Sequence, residues 1–348
     1  MNLSTTYLGL RLPHPFIAGA SPLSGTVAGV RRLEESGAAA IVLPSLFEEG
    51  GESGQIATRS FYADHDLIYP DETIPSASAL GLSPRDYFVH LGKVKKEVRV
   101  PVIASLNGTS PGGWIRYAKV LQDEGADALE LNLYALSVDP FDPSPAVELR
   151  EIELVRSLKA ALRIPLAVKL SPFYTSIPHF VRELDHAGAD AVVLFNRFYQ
   201  ADIDPERMEV IRTLHLSTSS ELLLRLRWLA VLFGHVQASL AVTGGIHTVQ
   251  DALKAVLCGA QAVQVVSSLL ERGSEHLGTL RHAMEEWLES HGHQSLEEIR
   301  GKMSLLRAPN PKAYERMNYI YNLDSWRHQA PVSVLGRSGG PSEGSSRS

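Results

Sequence analysis

The chain has 348 residues, enough for one large barrel or two ordinary domains. Hydrophobic residues make up 44%, charged residues 21% and the net charge is −6, a globular mix that gives nucleic acid or an anionic membrane no electrostatic hold. The one cysteine, Cys258, excludes an internal disulfide and a four-thiolate iron–sulfur cluster and fits a reducing, cytoplasmic setting. Residues 1–7 are polar without a basic stretch, and the longest apolar run, 228–233, is too short to span a bilayer, so neither signal peptide nor membrane association is expected.

Short apolar runs alternate with amphipathic stretches along the chain. The spacing predicts strands at 16–21, 39–45, 102–106, 128–133, 166–171, 191–196, 239–243 and 262–266, most of them apolar throughout, as strands covered on both faces must be. Helices are predicted over 26–36, 84–96, 112–124, 146–161, 177–187, 221–233, 249–257 and 275–290. Gly37, Gly125, Gly188 and Gly259 follow four of them, where a left-handed residue ends a helix. Eight alternations predict an α/β fold, a (β/α)8 TIM barrel. The stretches 47–83 and 197–220 are too long for plain connections and read as insertions after strands two and six, on the catalytic face. The expected organisation is one barrel domain, 1–328, and a disordered Ser/Gly/Pro-rich tail, 329–348.

In such a barrel the chemistry sits at the C-terminal ends of the strands. Ala241-Val-Thr-Gly-Gly-Ile and Val265-Val-Ser-Ser end strands seven and eight in small residues. Two neighbouring strand ends with free backbone N–H groups make an anion socket, most often for a phosphate. Lys169 stands in otherwise apolar strand five, where an unpaired charge is costly, and reads as a fixed positive charge beside a cofactor rather than a snorkelling side chain. Asn132 ends strand four and Asn196 ends strand six, a placement that favours hydrogen bonds to a ligand; Ser21 and Ser45 end strands one and two. Glu130 either points the same way or pairs with Lys169 inside the barrel, and His247 is either a phosphate ligand or an exposed helix-start residue. Cys258 reads as a small buried hydrophobe. No Gly-x-Gly-x-x-Gly follows a strand, and His-x-x-x-His, Cys-x-x-Cys and Walker A patterns are absent, so neither a metal nor a Rossmann dinucleotide site is expected.

Several segments, taken in order, carry a family resemblance. They are Leu-Gly-Leu-Arg-Leu-Pro-His-Pro-Phe from Leu8, Ala20-Ser21, Gly81-Leu82, Glu130-Leu-Asn-Leu, Val168-Lys-Leu-Ser-Pro and Thr243-Gly-Gly-Ile. Gln250-Asp-Ala-Leu, Leu257-Cys-Gly-Ala, Ala262-Val-Gln-Val and His293-Gln-Ser-Leu-Glu-Glu-Ile-Arg-Gly-Lys follow. Their order and spacing, from residue 5 to about residue 305, resemble the dihydroorotate dehydrogenases, specifically the soluble class 1 flavoproteins. The resemblance implies an FMN-containing barrel that converts dihydroorotate to orotate in de novo pyrimidine biosynthesis, with hydride passing to flavin N5 and a base taking a proton. It implies Ala20, Ser21, Asn132 and Lys169 at the flavin ring, and Gly244, Gly245, Ser267 and Ser268 at its phosphate. Lys169 would stabilise the negative charge of reduced flavin, and Asn132 and Asn196 would donate to the substrate. A homodimer and a separate electron-transfer partner are both compatible with the likeness.

The departures fall on the substrate side. Where the family has Thr-Lys-Ser at the end of strand two, Pro44 replaces the lysine. The family's Asn-Leu-Ser-Cys-Pro-Asn is Asn132-Leu133-Tyr134-Ala135-Leu136-Ser137, so Ala135 cannot take the proton; Ser137 stands at a substrate-binding position and, with Tyr134, is a replacement base candidate. Ser78 falls where an asparagine binds substrate, residues 216–220 (Leu-Ser-Thr-Ser-Ser) replace a glycine-rich stretch, and Arg197 and Arg59 are candidates for the missing positive charge. Three readings result: a dihydroorotate dehydrogenase, an FMN oxidoreductase of the same fold acting on another small cyclic substrate, or a flavin- or partner-binding protein without turnover.

Overall fold

The computed structural model describes residues 1–47, 83–107, 111–133, 137–197, 202–211 and 214–314. Two antiparallel hairpins frame the architecture: β1 (Thr5–Tyr7) with β2 (Leu10–Leu12), and β9 (Asp202–Asp204) with β10 (Glu209–Ile211). Between and after them eight parallel strands close into a barrel. These are β3 (Phe16–Ala18), β4 (Ile41–Phe47), β5 (Val102–Asn107), β6 (Ala128–Asn132), β7 (Leu166–Leu170), β8 (Ala191–Leu194), β11 (Ser239–Thr243) and β12 (Ala262–Val265). The ring closes where β12 pairs with β3, Val263 opposite Phe16 and Val265 opposite Ala18.

The helices are α1 (Val27–Glu35), α2 (Pro84–Glu97), α3 (Pro111–Asp123), α4 (Ser144–Ala161), α5 (Ile177–His186), α6 (Leu222–Leu232), α7 (Val249–Cys258), α8 (Ser267–Arg272) and α9 (His276–Ser290). The predicted (β/α)8 barrel is therefore present, each strand and helix within a few residues of its expected place. Three elements have no counterpart in the sequence reading: the leading hairpin β1–β2, the short α8, and the hairpin β9–β10, which forms much of the insertion after the sixth strand. Most of the insertion after the second strand, residues 48–82, lies outside the described residues, as does the tail 329–348. No helix among the described residues is long and apolar enough to cross a membrane.

The strands are apolar on both faces because both are covered. Outward residues such as Leu129, Leu131, Val168, Leu170, Val192 and Val242 pack under the helices. Inward residues form a second cluster with a small-residue floor: Ala128, Ala167, Ala191, Ala241 and Ala262. Five methyl groups cannot fill a barrel at interior packing density. The β1–β2 hairpin supplies the missing volume, with Tyr7, Leu8 and Leu12 buried against these alanines. The next inward layer is polar, with Ser105, Glu130, Asn132, Lys169 and Gln264 all buried.

Pro44 interrupts β4 for a covalent reason, since proline has no N–H to give a neighbouring strand. Ile41 and Val42 pair with Val102 and Ile103, but Ser45 pairs with Ser105, so β4 holds one extra residue at a bulge. The bulge reverses the alternation, so both Val42 and Ser45 face inward. Ser45 Oγ meets Ser105 Oγ at 2.8 Å.

Glu151 on α4 is largely buried beside Tyr174. Burial pushes its carboxyl up to about 7, Tyr174 opposing the shift. A raised folded-state value favours the protonated form, so this contribution is fully present below pH 4.5 and is lost as pH rises through about 7. Urea midpoints measured across that window should fall with rising pH in the native protein, and Glu151→Gln should flatten the decline.

Candidate active site

An open cavity of about 680 Å³, mouth included, lies at the C-terminal ends of the strands. Its floor reaches Lys169 at the end of β7; Asn196 and Arg197 follow β8, and Gly244 follows β11. Ser267 at the start of α8 and Ala20 and Ser21 after β3 complete the side near the ring closure.

Lys169 is held by the barrel interior. Its Nζ lies 3.3 Å from Glu130 Oε1, with side-chain exposures of 8% and 0%. The other carboxylate oxygen, Oε2, accepts a hydrogen bond from Gln264 Nε2. Three strands thus contribute one residue each, β6 the carboxylate, β7 the ammonium and β12 the amide. Of the two readings of Glu130, the ion-pair partner is the one the structure adopts. Tyr7 lies close below: burial first, then the charge of Glu130, hold its hydroxyl well above the usual tyrosine range, so it stays neutral.

Asn132 is buried next to this pair. Its Nδ2 donates to Ser45 Oγ at 2.9 Å, Ser105 Oγ at 3.0 Å and Leu106 O at 3.2 Å. The Pro44 bulge therefore occupies the N–H groups of Asn132 by presenting Ser45 to them. Oδ1 is buried with no hydrogen-bond partner among the described residues.

The two strand ends of the expected anion socket do come together. Gly244 and Ser267 face the cavity. Gly245 N donates to Ser217 Oγ at 3.2 Å, and Ser268 Oγ donates to Ile246 O at 2.9 Å, so these two shape the turn from behind. Ser217 also donates through its N and Oγ to Ser267 Oγ, at 3.0 and 2.9 Å. His247 is buried, not exposed, with Nδ1 3.5 Å from Glu271 and Nε2 3.5 Å from Ser217 Oγ.

Asn196 Oδ1 accepts from Arg197 N at 3.0 Å, and Arg197 Nη1 meets both oxygens of Glu221 at 3.2 and 3.4 Å. Ser137 is exposed, donates to Asp142 Oδ2 at 3.3 Å and does not line the cavity. Ser78, Arg59, Tyr134 and Ala135 lie outside the described residues.

Sequence reasoning missed Arg225. This α6 residue lines the cavity at 5% exposure. Its signal was present: Leu222, Arg225, Leu229 and Leu232 recur at helical spacing, so an arginine occupies a core position. Lys169, Arg197 and Arg225 give the cavity three cations, and no carboxylate lines it among the described residues.

A (β/α)8 barrel with a cation-lined mouth at its strand ends defines the class of protein. Residues 2–288 match the family described as dihydroorotate dehydrogenase, and the chain belongs to that family. It is 28% identical over 314 residues to a putative dihydroorotate dehydrogenase A (fumarate) of Aeropyrum pernix, covering 86% of this chain and 96% of that protein. It is 24% identical over 304 residues to the catalytic subunit of a dihydroorotate dehydrogenase B (NAD(+)) of Thermoplasma volcanium, covering 86% and 98%. The corresponding subunit of Methanocella arvoryzae is 28% identical over 278 residues, covering 78% and 88%.

Gly245 sits at φ +81°, and a Cβ there would come 2.6 Å from the Leu222 backbone nitrogen. Gly245→Ala should therefore lose roughly 1–3 kcal/mol of stability in urea denaturation, because neither the dihedral nor the backbone contact can relax cheaply.

Proposed function

We propose that the protein is an FMN-dependent oxidoreductase of the dihydroorotate dehydrogenase type, built as one barrel domain over residues 1–328. The observation that carries this reading is Lys169, buried at the end of β7 and lining a cavity with three cations and no acid among its described residues. Three further features fit FMN. The cations suit a phosphate-bearing ligand, Gly244 leaves backbone open to it, and the orphaned Asn132 Oδ1 is an acceptor for a ring N–H. When bound, FMN supplies the two-electron acceptor, receiving hydride at N5.

The chain's own residues do the positioning. Lys169 offers a fixed positive charge to the side of the ring that gains electrons, and Glu130 and Gln264 keep its ammonium from swinging away. Ala20 and Ser21, which line the cavity, and Asn132, buried behind its lining, would hold the ring, and Gly244 and Ser267 would hold the phosphate, with Gly245 and Ser268 shaping the turn. Asn196 and Arg197 face the substrate, Arg197 providing the charge that Pro44 does not. Ser78 and Ser137 are assigned to the substrate side on the family pattern alone; Ser137, whose hydroxyl bonds Asp142 outside the cavity lining, is not placed to act as the base.

One observation favours the second reading, an FMN oxidoreductase acting on another small cyclic substrate. The cavity lining offers no carboxylate, imidazole or thiol among the described residues, so no ordinary base for a carbon acid faces it.

The experiment is an anaerobic visible spectrum of the purified protein before and after dihydroorotate. Flavin bands that bleach establish cofactor and substrate together; bands that persist retain the cofactor and point to another substrate; a colourless protein that takes up no added FMN rejects the reading. Lys169→Ala should release FMN more readily and slow flavin reduction. It also strands the buried Glu130, at a cost of about 3–5 kcal/mol. Lys169→Met combined with Glu130→Gln should recover part of that stability without recovering flavin reduction, as thermal melts and stopped-flow traces would show.

A further inference from the structure

Arg225 carries a charge at a position where a helix normally places a hydrocarbon. It lies on the stripe of Leu222, Leu229 and Leu232 that packs α6 onto the barrel. Two of its nitrogens are fixed by carbonyl groups: Nε donates to Thr243 O, and Nη1 donates to Glu221 O at 2.6 Å. Nη2 has no hydrogen-bond partner among the described residues. The guanidinium lies against the turn after β11, so close that a Cβ on Gly244 would come 2.7 Å from Nη2. Arg225, Gly244, Ser217 and Ser267 all line the same part of the cavity.

The charge is also only partly compensated. Glu221 is the carboxylate that acts on Arg225 among the described residues, and both of its oxygens already serve Arg197. Two guanidinium groups thus share one carboxylate, whereas Lys169 has Glu130 to itself. Burial pulls Arg225 below its usual pKa, Glu221 resisting and Arg197 adding to the pull. A buried cation without a partner is a cost to the folded chain, and an anion in the cavity removes it. A phosphate monoester is the best-matched anion, because it presents several acceptor oxygens to a planar guanidinium and to the flanking serine hydroxyls at once.

We propose that Arg225 is a binding residue for the phosphate of FMN, completing the socket of Gly244 and Ser267 and making the site select a phosphorylated flavin over riboflavin. This rests on the FMN reading above.

The test is a fluorescence titration of the full chain, freed of bound flavin, with FMN and separately with riboflavin, for the native protein and for Arg225→Gln. The native protein should prefer FMN. Arg225→Gln should weaken FMN binding about 10- to 100-fold, leave riboflavin binding within about twofold, and melt without ligand no lower than the native protein. Equal loss of both flavins, or unchanged FMN binding, overturns the proposal while leaving the cofactor reading intact. Native protein that binds neither flavin overturns both. A measurement on the unaltered chain guards against a variant that does not fold. Inorganic phosphate should compete with FMN and not with riboflavin, relative to sodium chloride of equal ionic strength; absence of that competition also overturns the proposal.

Discussion

The ion pair between Lys169 and Glu130 is the constraint around which the rest of the site is arranged. Two charges taken out of water are tolerated only where geometry and further hydrogen bonds compensate them. Here that compensation requires three strands in register: Glu130 from β6, Lys169 from β7 and Gln264 from β12, which lies across the barrel. Below them the floor has to be sealed from water, and the alanine layer with Tyr7, Leu8 and Leu12 of the leading hairpin does that. Above them the cavity has to be open, and small residues after β3 and β11 leave it so. A pair sealed on one side and open on the other keeps its ammonium near a ligand while its carboxylate stays dry.

The other charges of the cavity are distributed unevenly. Lys169 is matched inside the barrel, Arg197 is matched by Glu221, and Arg225 is left over. The excess lies between the ends of β11 and β12, beside hydroxyl groups of Ser217 and Ser267 that already bond one another. The family match and this charge arrangement are separate observations: the first spans residues 2–288 as a whole, the second rests on the side chains that line the cavity.

Pro44 shows how one residue organises its neighbours. By removing an N–H from β4 it forces a bulge, and the bulge swings Ser45 toward Ser105 and Asn132. The N–H groups of Asn132 are then engaged within the protein, which leaves its carbonyl oxygen as the free end. The bulge at Pro44 and the orientation of Asn132 are thus one structural event.

The eight barrel strands and eight of the nine helices were legible in the chain, because a strand covered on both faces must be apolar throughout and a helix on a barrel must be apolar on one stripe. Lys169 was legible for the same reason, as the residue that breaks such a pattern. The short α8 and the two hairpins were not, since six and three residues are too few to show a period. Which polar side chains meet depended on closure and register, which no local pattern encodes. Glu130 and Gln264 are 134 positions apart and become partners only when the ring closes between β12 and β3. Arg225 likewise reads as one more helical residue until α6 packs, when burial and the distance to Gly244 reveal a charge with no partner of its own.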